Sequence, residues 1–334
     1  MAEPLLSVSA VSVSFDTPRG AVHALDDVSL DLWPRQTIGV VGESGSGKSV
    51  LARTIMNLLP RNASVGGSVR FLGRDVRDLP PDERKHFWGT RIGMVFQDPM
   101  TSLNPTKRIG TQLTEGLRYH KKLSRSEART AALELLDQVH IPDAARRLRQ
   151  YPHELSGGMR QRIVIAIALA CEPRLLIADE PTTALDVTVQ RRILDLLDEL
   201  RRDREMGLIL ITHDLGVVKG RADEIMVMYG GRVMERADTA SLFAGHHHPY
   251  TEALLGSIPR LDKPAHTRLV AIPGRPPNLV DLPRGCRFTA RCGYAQERCA
   301  SEEPSLFRAN PEHEYACFHP LPHQSADAQL ATGT

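Results

Sequence analysis

GESGSGKS, residues 42–49, decides how the rest of the chain is read. Every fixed position of the phosphate-loop pattern G-x-x-x-x-G-K-[ST] is filled, by Gly42, Gly47, Lys48 and Ser49. Upstream, residues 37–41 (TIGVV) are a short β-branched run of the kind that makes a buried strand. Downstream, residues 50–59 (VLARTIMNLL) carry apolar side chains at helical spacing. Strand, glycine loop and helix in that order turn the N–H groups of Ser44, Gly45, Ser46, Gly47, Lys48, Ser49 and Val50, with the positive end of the helix dipole, toward a polyphosphate. Lys48 then reaches the terminal phosphates, and the Ser49 hydroxyl takes a place on Mg²⁺.

Composition narrows the partners. The 42 basic and 40 acidic residues nearly cancel and form no long block, so no electrostatic case for nucleic acid exists. The longest uncharged apolar run, residues 163–171, is about half of the ~18 residues a membrane span needs. The opening residues MAEPLLSVSAVSVSF lack a basic start or a cleavage pattern, so a cytoplasmic protein is expected. Five cysteines in that compartment suggest metal or redox chemistry before structural disulfides.

Apolar residues alternate through Leu6, Val8, Val11, Val13 and Phe15 and again through Val28, Leu30 and Leu32, the pattern of half-buried strands. Phe15 either stacks on an adenine ring or fills a strand face. Residues 66–73 and 91–96 read as further strands, the second ending at Gln97, and the chain then turns helical and charged to about residue 150. Ser156, Gly157 and Gly158 precede a long helical run, a second anion-binding helix start. The apolar strand at 175–178 ends in Asp179 and Glu180; the first carboxylate is placed to hold Mg²⁺ through water, and the second to orient or deprotonate an attacking water. Residues 208–212 (LILIT) end at His213, and ligands of open α/β sheets bind beyond such strand ends. Residues 225–228 and 232–235 flank Tyr229-Gly230-Gly231 as a hairpin. Past Gly245, dense proline and glycine mark a boundary and a linker that takes in the histidines at 246–248.

Taken together these motifs resemble the ATP-binding subunit of an ABC transporter. The quoted residues are GESGSGKS, Gln97 of the Q-loop, LSGGM at 155–159, LLIAD followed by Glu180, Ala184-Leu185-Asp186 of the D-loop, and the switch residue His213. Three stretches, FQDPMTSLNP at 96–105, HPYTEALL at 248–255 and GCRFTARC at 285–292, are similar to dipeptide and oligopeptide importer subunits, with nickel importers as the alternative. Met159 departs from the commoner glutamine, while Ser156, Gly157 and Gly158 are intact. The implied fold is α/β: a P-loop ABC-type ATPase core with a RecA-like mixed sheet and an antiparallel β subdomain, an all-helical subdomain, and a small Cys-rich C-terminal extension. The expected boundaries are 5–245 for the nucleotide-binding domain with its helical insertion at about 98–155, 246–323 for linker and extension, and 324–334 for a disordered tail.

The resemblance implies roles residue by residue. Two such subunits sandwich ATP, each site pairing one phosphate loop with the partner's Ser156, Gly157 and Gly158. Phe15 stacks on adenine, Lys48 and Ser49 hold phosphates and Mg²⁺, and Gln97 senses the γ-phosphate, ligates Mg²⁺ and meets the membrane subunits. Asp179 lies on the cofactor, Glu180 polarises the water and His213 clamps the γ-phosphate. The implied partners are a second, distinct ATPase subunit, two transmembrane permease subunits and an extracytoplasmic peptide-binding protein. Cys286, Cys292, Cys299 and Cys317, separated by five, six and seventeen residues, are expected to form a Cys₄ metal centre. A [4Fe-4S] cluster is favoured by the resemblance, with zinc or disulfides as alternatives.

Overall fold

A computed structural model of the chain describes residues 3–98, 102–183, 185–258, 272–310 and 312–322. The alternating runs near the start form β1 (Leu6–Thr17) and β2 (Gly20–Leu32). In β1 the buried positions switch from Leu6 and Val8 to Val11 and Val13, and the change of parity is taken up at Ala10, whose φ is 49°. Next come β3 (Thr37–Val41), α1 (Lys48–Ile55), β4 (Ala63–Phe71), β5 (Arg74–Asp75) and β6 (Ile92–Val95). The helical stretch contains α2 (Ile109–His120), α3 (Arg125–Gln138) and α4 (Gly157–Leu169), followed by β7 (Leu175–Asp179), α5 (Val187–Asp203) and β8 (Gly207–Thr212). β9 (Glu224–Tyr229), β10 (Arg232–Asp238), α6 (Pro249–Gly256), β11 (Phe307–Asn310) and β12 (His313–Tyr315) complete the principal elements.

The chain packs as two compact units, which the sequence enters and leaves more than once. One comprises residues 1–5, 32–36 and 71–211. In it β6 and β8 flank β7, all parallel, with Val95 opposite Ala178 and Asp179 opposite Ile211. Every residue of β6 and β7 is buried, which is why their sequences are continuous apolar runs with no alternation. Gln97, Asp179 and Glu180 therefore emerge from the same carboxyl edge. α4 carries four consecutive buried residues, Ile163 to Ala166, more than a single buried stripe would give. α3 begins with a reciprocal cap in which Ser124 N–H donates to Glu127 Oε2 at 2.8 Å and Glu127 N–H to Ser124 Oγ at 3.3 Å.

The other unit comprises residues 6–31, 37–70 and 212–334. Here β3 runs parallel to β9, with Val41 opposite Val227, and β9 and β10 form the expected hairpin around Gly230-Gly231. β12 pairs antiparallel with β10, and β11 with β12. The second sheet has the order β2-β1-β4.

Residues 246–256, expected to open a linker, are packed instead. His248 caps α6 by accepting the Tyr250 N–H at 3.0 Å, and the buried Glu235 carboxylate accepts His248 N–H at 3.1 Å and the His313 ring at 2.7 Å. The remainder of the expected linker at 259–271 and the tail at 324–334 lie outside the described residues. No helix among the described residues is long and apolar enough to cross a membrane.

Candidate active site

The phosphate loop hangs between β3 and α1 and closes on itself through Lys48. This buried lysine donates from Nζ to Gly42 O at 2.7 Å, Glu43 O at 2.8 Å and Ser46 Oγ at 3.4 Å. Gly47 starts α1 at a φ of 102°, a conformation open to glycine and poor for any residue with a Cβ. Gly42 is required by space: a Cβ there would lie 2.1 Å from Met228 O of β9. The hairpin turn braces the loop from behind, with Gly231 N–H donating to Ser46 O at 3.1 Å. Ser44 and Gly45 are exposed at the tip, while Ser49 and Val50 are half-buried in the first turn of α1. This is a cradle of amide donors with one ammonium at its base, a fit to a polyphosphate. The Ser49 hydroxyl beside it fits a hard cation such as Mg²⁺. Phe15 is half-buried near the end of β1, and His213 is exposed just past β8.

In the other unit the carboxyl edge of the parallel strands holds a small hydrogen-bonded cluster. Asp179 is buried, and Glu180 sits at a φ of 47°, a strained conformation for a residue with a Cβ, pinned by its N–H to Ile211 O at 3.0 Å. Its Oε2 accepts from Gln97 Nε2 at 2.9 Å and from Thr183 Oγ1 at 2.9 Å. Both bonds fall on one oxygen, so the plane of the carboxylate is fixed. Ser156 is exposed and caps α4, its Oγ accepting from Met159 N–H at 3.4 Å, and Gly157 and Gly158 form the first turn. Of the D-loop, Ala184 lies outside the described residues. Asp186 caps α5 by accepting from Val189 N–H at 2.9 Å.

Known proteins match along almost the whole chain. The ABC transporter family matches residues 25–183, and the oligopeptide/dipeptide transporter C-terminal region matches residues 234–299. The oligopeptide transport ATP-binding protein OppD of Escherichia coli is 50% identical over 96% of this chain and 94% of its own length. The dipeptide transport ATP-binding protein DppD of Bacillus subtilis is 47% identical over 99% of this chain and 98% of its own. The chain belongs to the ATP-binding subunits of oligopeptide and dipeptide ABC transporters. Among solved structures, a dimeric ATP-binding cassette, MJ0796, in a post-hydrolysis state with ADP and Pi, matches with a TM-score of 0.63 and 29% identity, covering 70% of this chain and 98% of that one. The mixed sheet and helices are those of an ABC ATPase cassette.

One expectation for this ABC subunit is corrected. Among the described residues no group of three or more His, Cys, Asp or Glu side chains is arranged to hold a metal ion. The expected [4Fe-4S] cluster, and zinc with it, are therefore not supported. Cys286, Cys292, Cys299 and Cys317 line a cavity of about 20 Å³ walled by Phe288 and Pro304. Burial pushes the thiols of Cys286 and Cys317 up to about 11 and raises that of Cys292. Cysteine used as a small buried hydrophobe meets the same spacing as a Cys₄ site. No disulfide joins them; all are free.

The sequence reading also missed residues. Glu43 occupies a position the phosphate-loop pattern leaves open, yet its carboxylate accepts from the buried Arg291, with Nη2 at 3.0 Å from Oε1. Arg287 and Arg291 stand inside GCRFTARC, a stretch in which the cysteines drew the attention. The signal available was two arginines four apart in a segment with little apolar material.

Proposed function

We propose that this chain is the ATP-hydrolysing subunit that powers import of dipeptides and oligopeptides, peripheral on the cytoplasmic face of the membrane. The observation that carries the cargo is its likeness to OppD and DppD over nearly the full length of each. It works as a dimer of ATPase subunits beneath membrane permeases. In our reading the second ATPase is a related but distinct chain, two permease subunits form the channel, and an extracytoplasmic binding protein delivers the peptide. Segment 97–105 and the helices after it face the permeases; residues 99–101 lie outside the described residues. Residues 5–245 act as the nucleotide-binding domain, with residues 98–155 as its helical part and the Cys-rich stretch as an extension to it.

The proposed chemistry assigns each side chain one task. Amides of residues 44–50 and the Lys48 ammonium bind the phosphates, and Phe15 stacks on the base. Ser49 and Gln97, with Asp179, would hold Mg²⁺, which would supply charge neutralisation at the phosphates. Glu180 orients the attacking water, and its hydrogen bonds from Gln97 and Thr183 support that role by holding the carboxylate in one plane. His213 clamps the γ-phosphate, and Ser156, Gly157 and Gly158 serve the partner's nucleotide. Closure on ATP and reopening after hydrolysis drive alternating access in the permeases.

Glu180→Gln in the assembled importer tests this reading. The amide keeps size but cannot take the proton of the water, so turnover falls by about 10²-fold or more while MgATP binding persists. Hydrolysis within a few-fold of wild type would remove Glu180 from the role.

A further inference from the structure

The geometry points to Arg291 as a positioning residue for the ATP site: it fixes the phosphate loop through Glu43, and so makes the segment after residue 272 a working part of nucleotide binding. The inference rests on reading residues 42–49 as the ATP loop.

Arg291 uses all of its guanidinium donors. Nη2 donates to Glu43 Oε1 at 3.0 Å and to Ile272 O at 3.2 Å, Nη1 to Glu43 Oε2 and to the Tyr229 hydroxyl at 3.1 Å, and Nε to Pro273 O at 2.8 Å. A planar fork bound to both carboxylate oxygens sets direction as well as distance, which a lysine's point charge does not. The hydrogen bond to Glu43 raises the Arg291 pKa further above its ordinary value, so the guanidinium stays charged.

Glu43 is held at every polar group. Its carbonyl accepts from Lys48 Nζ at 2.8 Å, its N–H donates to the Tyr250 hydroxyl at 2.9 Å, and its carboxylate is in the arginine fork. The carbonyl that anchors the catalytic lysine thus belongs to the residue that Arg291 grips. Arg287, four residues earlier, reinforces the loop by a second route. It bonds Gly230 O and the carboxylates of Asp26 and Glu303, the last at 3.0 Å, and the adjacent Gly231 N–H holds Ser46 O at 3.1 Å. Two buried arginines from one short segment therefore support the loop, Arg291 directly at Glu43 and Arg287 through the hairpin turn that holds Ser46.

Arg291 is buried and Glu43 half-buried, so deleting Glu43 alone strands a buried charge, whereas exchanging both for apolar residues leaves none. The test measures ATP hydrolysis by the full-length chain in its assembled importer for Arg291→Lys and for the double variant Glu43→Leu with Arg291→Met. We expect KM for MgATP to rise about tenfold in both with kcat within about threefold, because ground-state phosphate binding depends on the loop's set position. Thermal unfolding of the double variant is expected below that of wild type but still as a single cooperative transition, because Ile272 O, Pro273 O and the Tyr229 hydroxyl lose their donors while no lone charge is left. A KM within twofold of wild type in both variants would overturn the inference. So would a fall in kcat at unchanged KM, the mark of a smaller folded fraction. Lys48→Ala is the control for the underlying reading: retention of wild-type MgATP binding there would refute the ATP loop itself, whatever Arg291 does.

Discussion

Two helices in this molecule begin on glycine beside an anion-binding motif, and they are held in opposite ways. At α1 the N-cap is Gly47, which has no side chain to offer, and the loop before it is fixed by groups far away in sequence: Met228 O, Gly231 N–H, Tyr250 and Arg291. At α4 the N-cap is Ser156, whose own hydroxyl accepts the Met159 N–H, and the closest neighbours of its two glycines are Leu185 and Val189 around the start of α5. The first start is made by tertiary structure and the second mostly by its own sequence. Damage should therefore spread differently from the two.

The largest difference is expected from adding a single methyl group. Gly42→Ala places Cβ 2.1 Å from the backbone oxygen of Met228 near the end of β9, where nothing flexible can yield. Gly157→Ala meets the end of the Leu185 side chain at 3.3 Å, which can turn aside. Gly42→Ala should lose about 3 kcal/mol of stability together with MgATP binding, as overpacking against rigid backbone does. Gly157→Ala should stay within about 1 kcal/mol of wild type, since alanine is the better helix former. Chemical denaturation of both variants checks this, and equal losses would erase the contrast.

The same contrast explains what could be read from sequence. The phosphate loop, the strand ending in Asp179 and Glu180, the hairpin at Gly230-Gly231 and the helix from Gly157 are all decided within about ten residues, where spacing and chemistry act directly. Arg291 and Glu43 are 248 positions apart, and nothing local in either stretch requires the other. His247 and His248 looked like linker because proline follows them, but the group that folds them in is Glu235, on a strand whose sequence gives no hint of it. The thiols misled for a related reason: spacing alone does not separate a ligand set from the lining of an apolar pocket.

A pH titration sharpens the comparison with a smaller effect. His248 is buried, and burial lowers its pKa from 6.5 to about 4. It accepts the N–H of Tyr250, and Tyr250 accepts the N–H of Glu43, so this histidine belongs to the brace behind the phosphate loop. Burial raises the neighbouring Glu235 carboxyl, but hydrogen bonds from His313 and from the His247 and His248 N–H groups outweigh it and leave it below its ordinary value. The sign follows. With a depressed folded pKa, His248 takes up protons in the unfolded chain first; its contribution is complete above pH 6.5 and drains away as pH falls toward 4. Between pH 7 and pH 5 the loss is about 2 kcal/mol, and Glu235 adds to it only below its unfolded value. His248→Gln should flatten that slope in a denaturation series. An unchanged slope would take the histidine out of the brace.

The smallest effect is expected at Ser156, where the comparison can be broken most cleanly. Its cap hydrogen bond is 3.4 Å long, at the weak end for such a bond, and the residue itself is exposed. Ser156→Ala removes one side-chain acceptor from the first turn of α4, a loss of about 0.5 kcal/mol at the low end of N-cap substitutions. The rest of α4 is secured by its buried residues Ile163 to Ala166, Ala168 and Leu169, which the substitution does not touch. MgATP affinity of the isolated chain should therefore match wild type, because the loop that binds it is fixed by Glu43, Gly231 and Arg291. Hydrolysis in the assembled dimer should fall, since the proposed task of Ser156 is at the partner's nucleotide. Equilibrium binding on the isolated subunit, set beside ATPase activity of the complex, separates the two effects. If Ser156→Ala weakened ATP binding by the isolated chain, the two helix starts would not be independent, and the division between a locally built start and a tertiary one would fail.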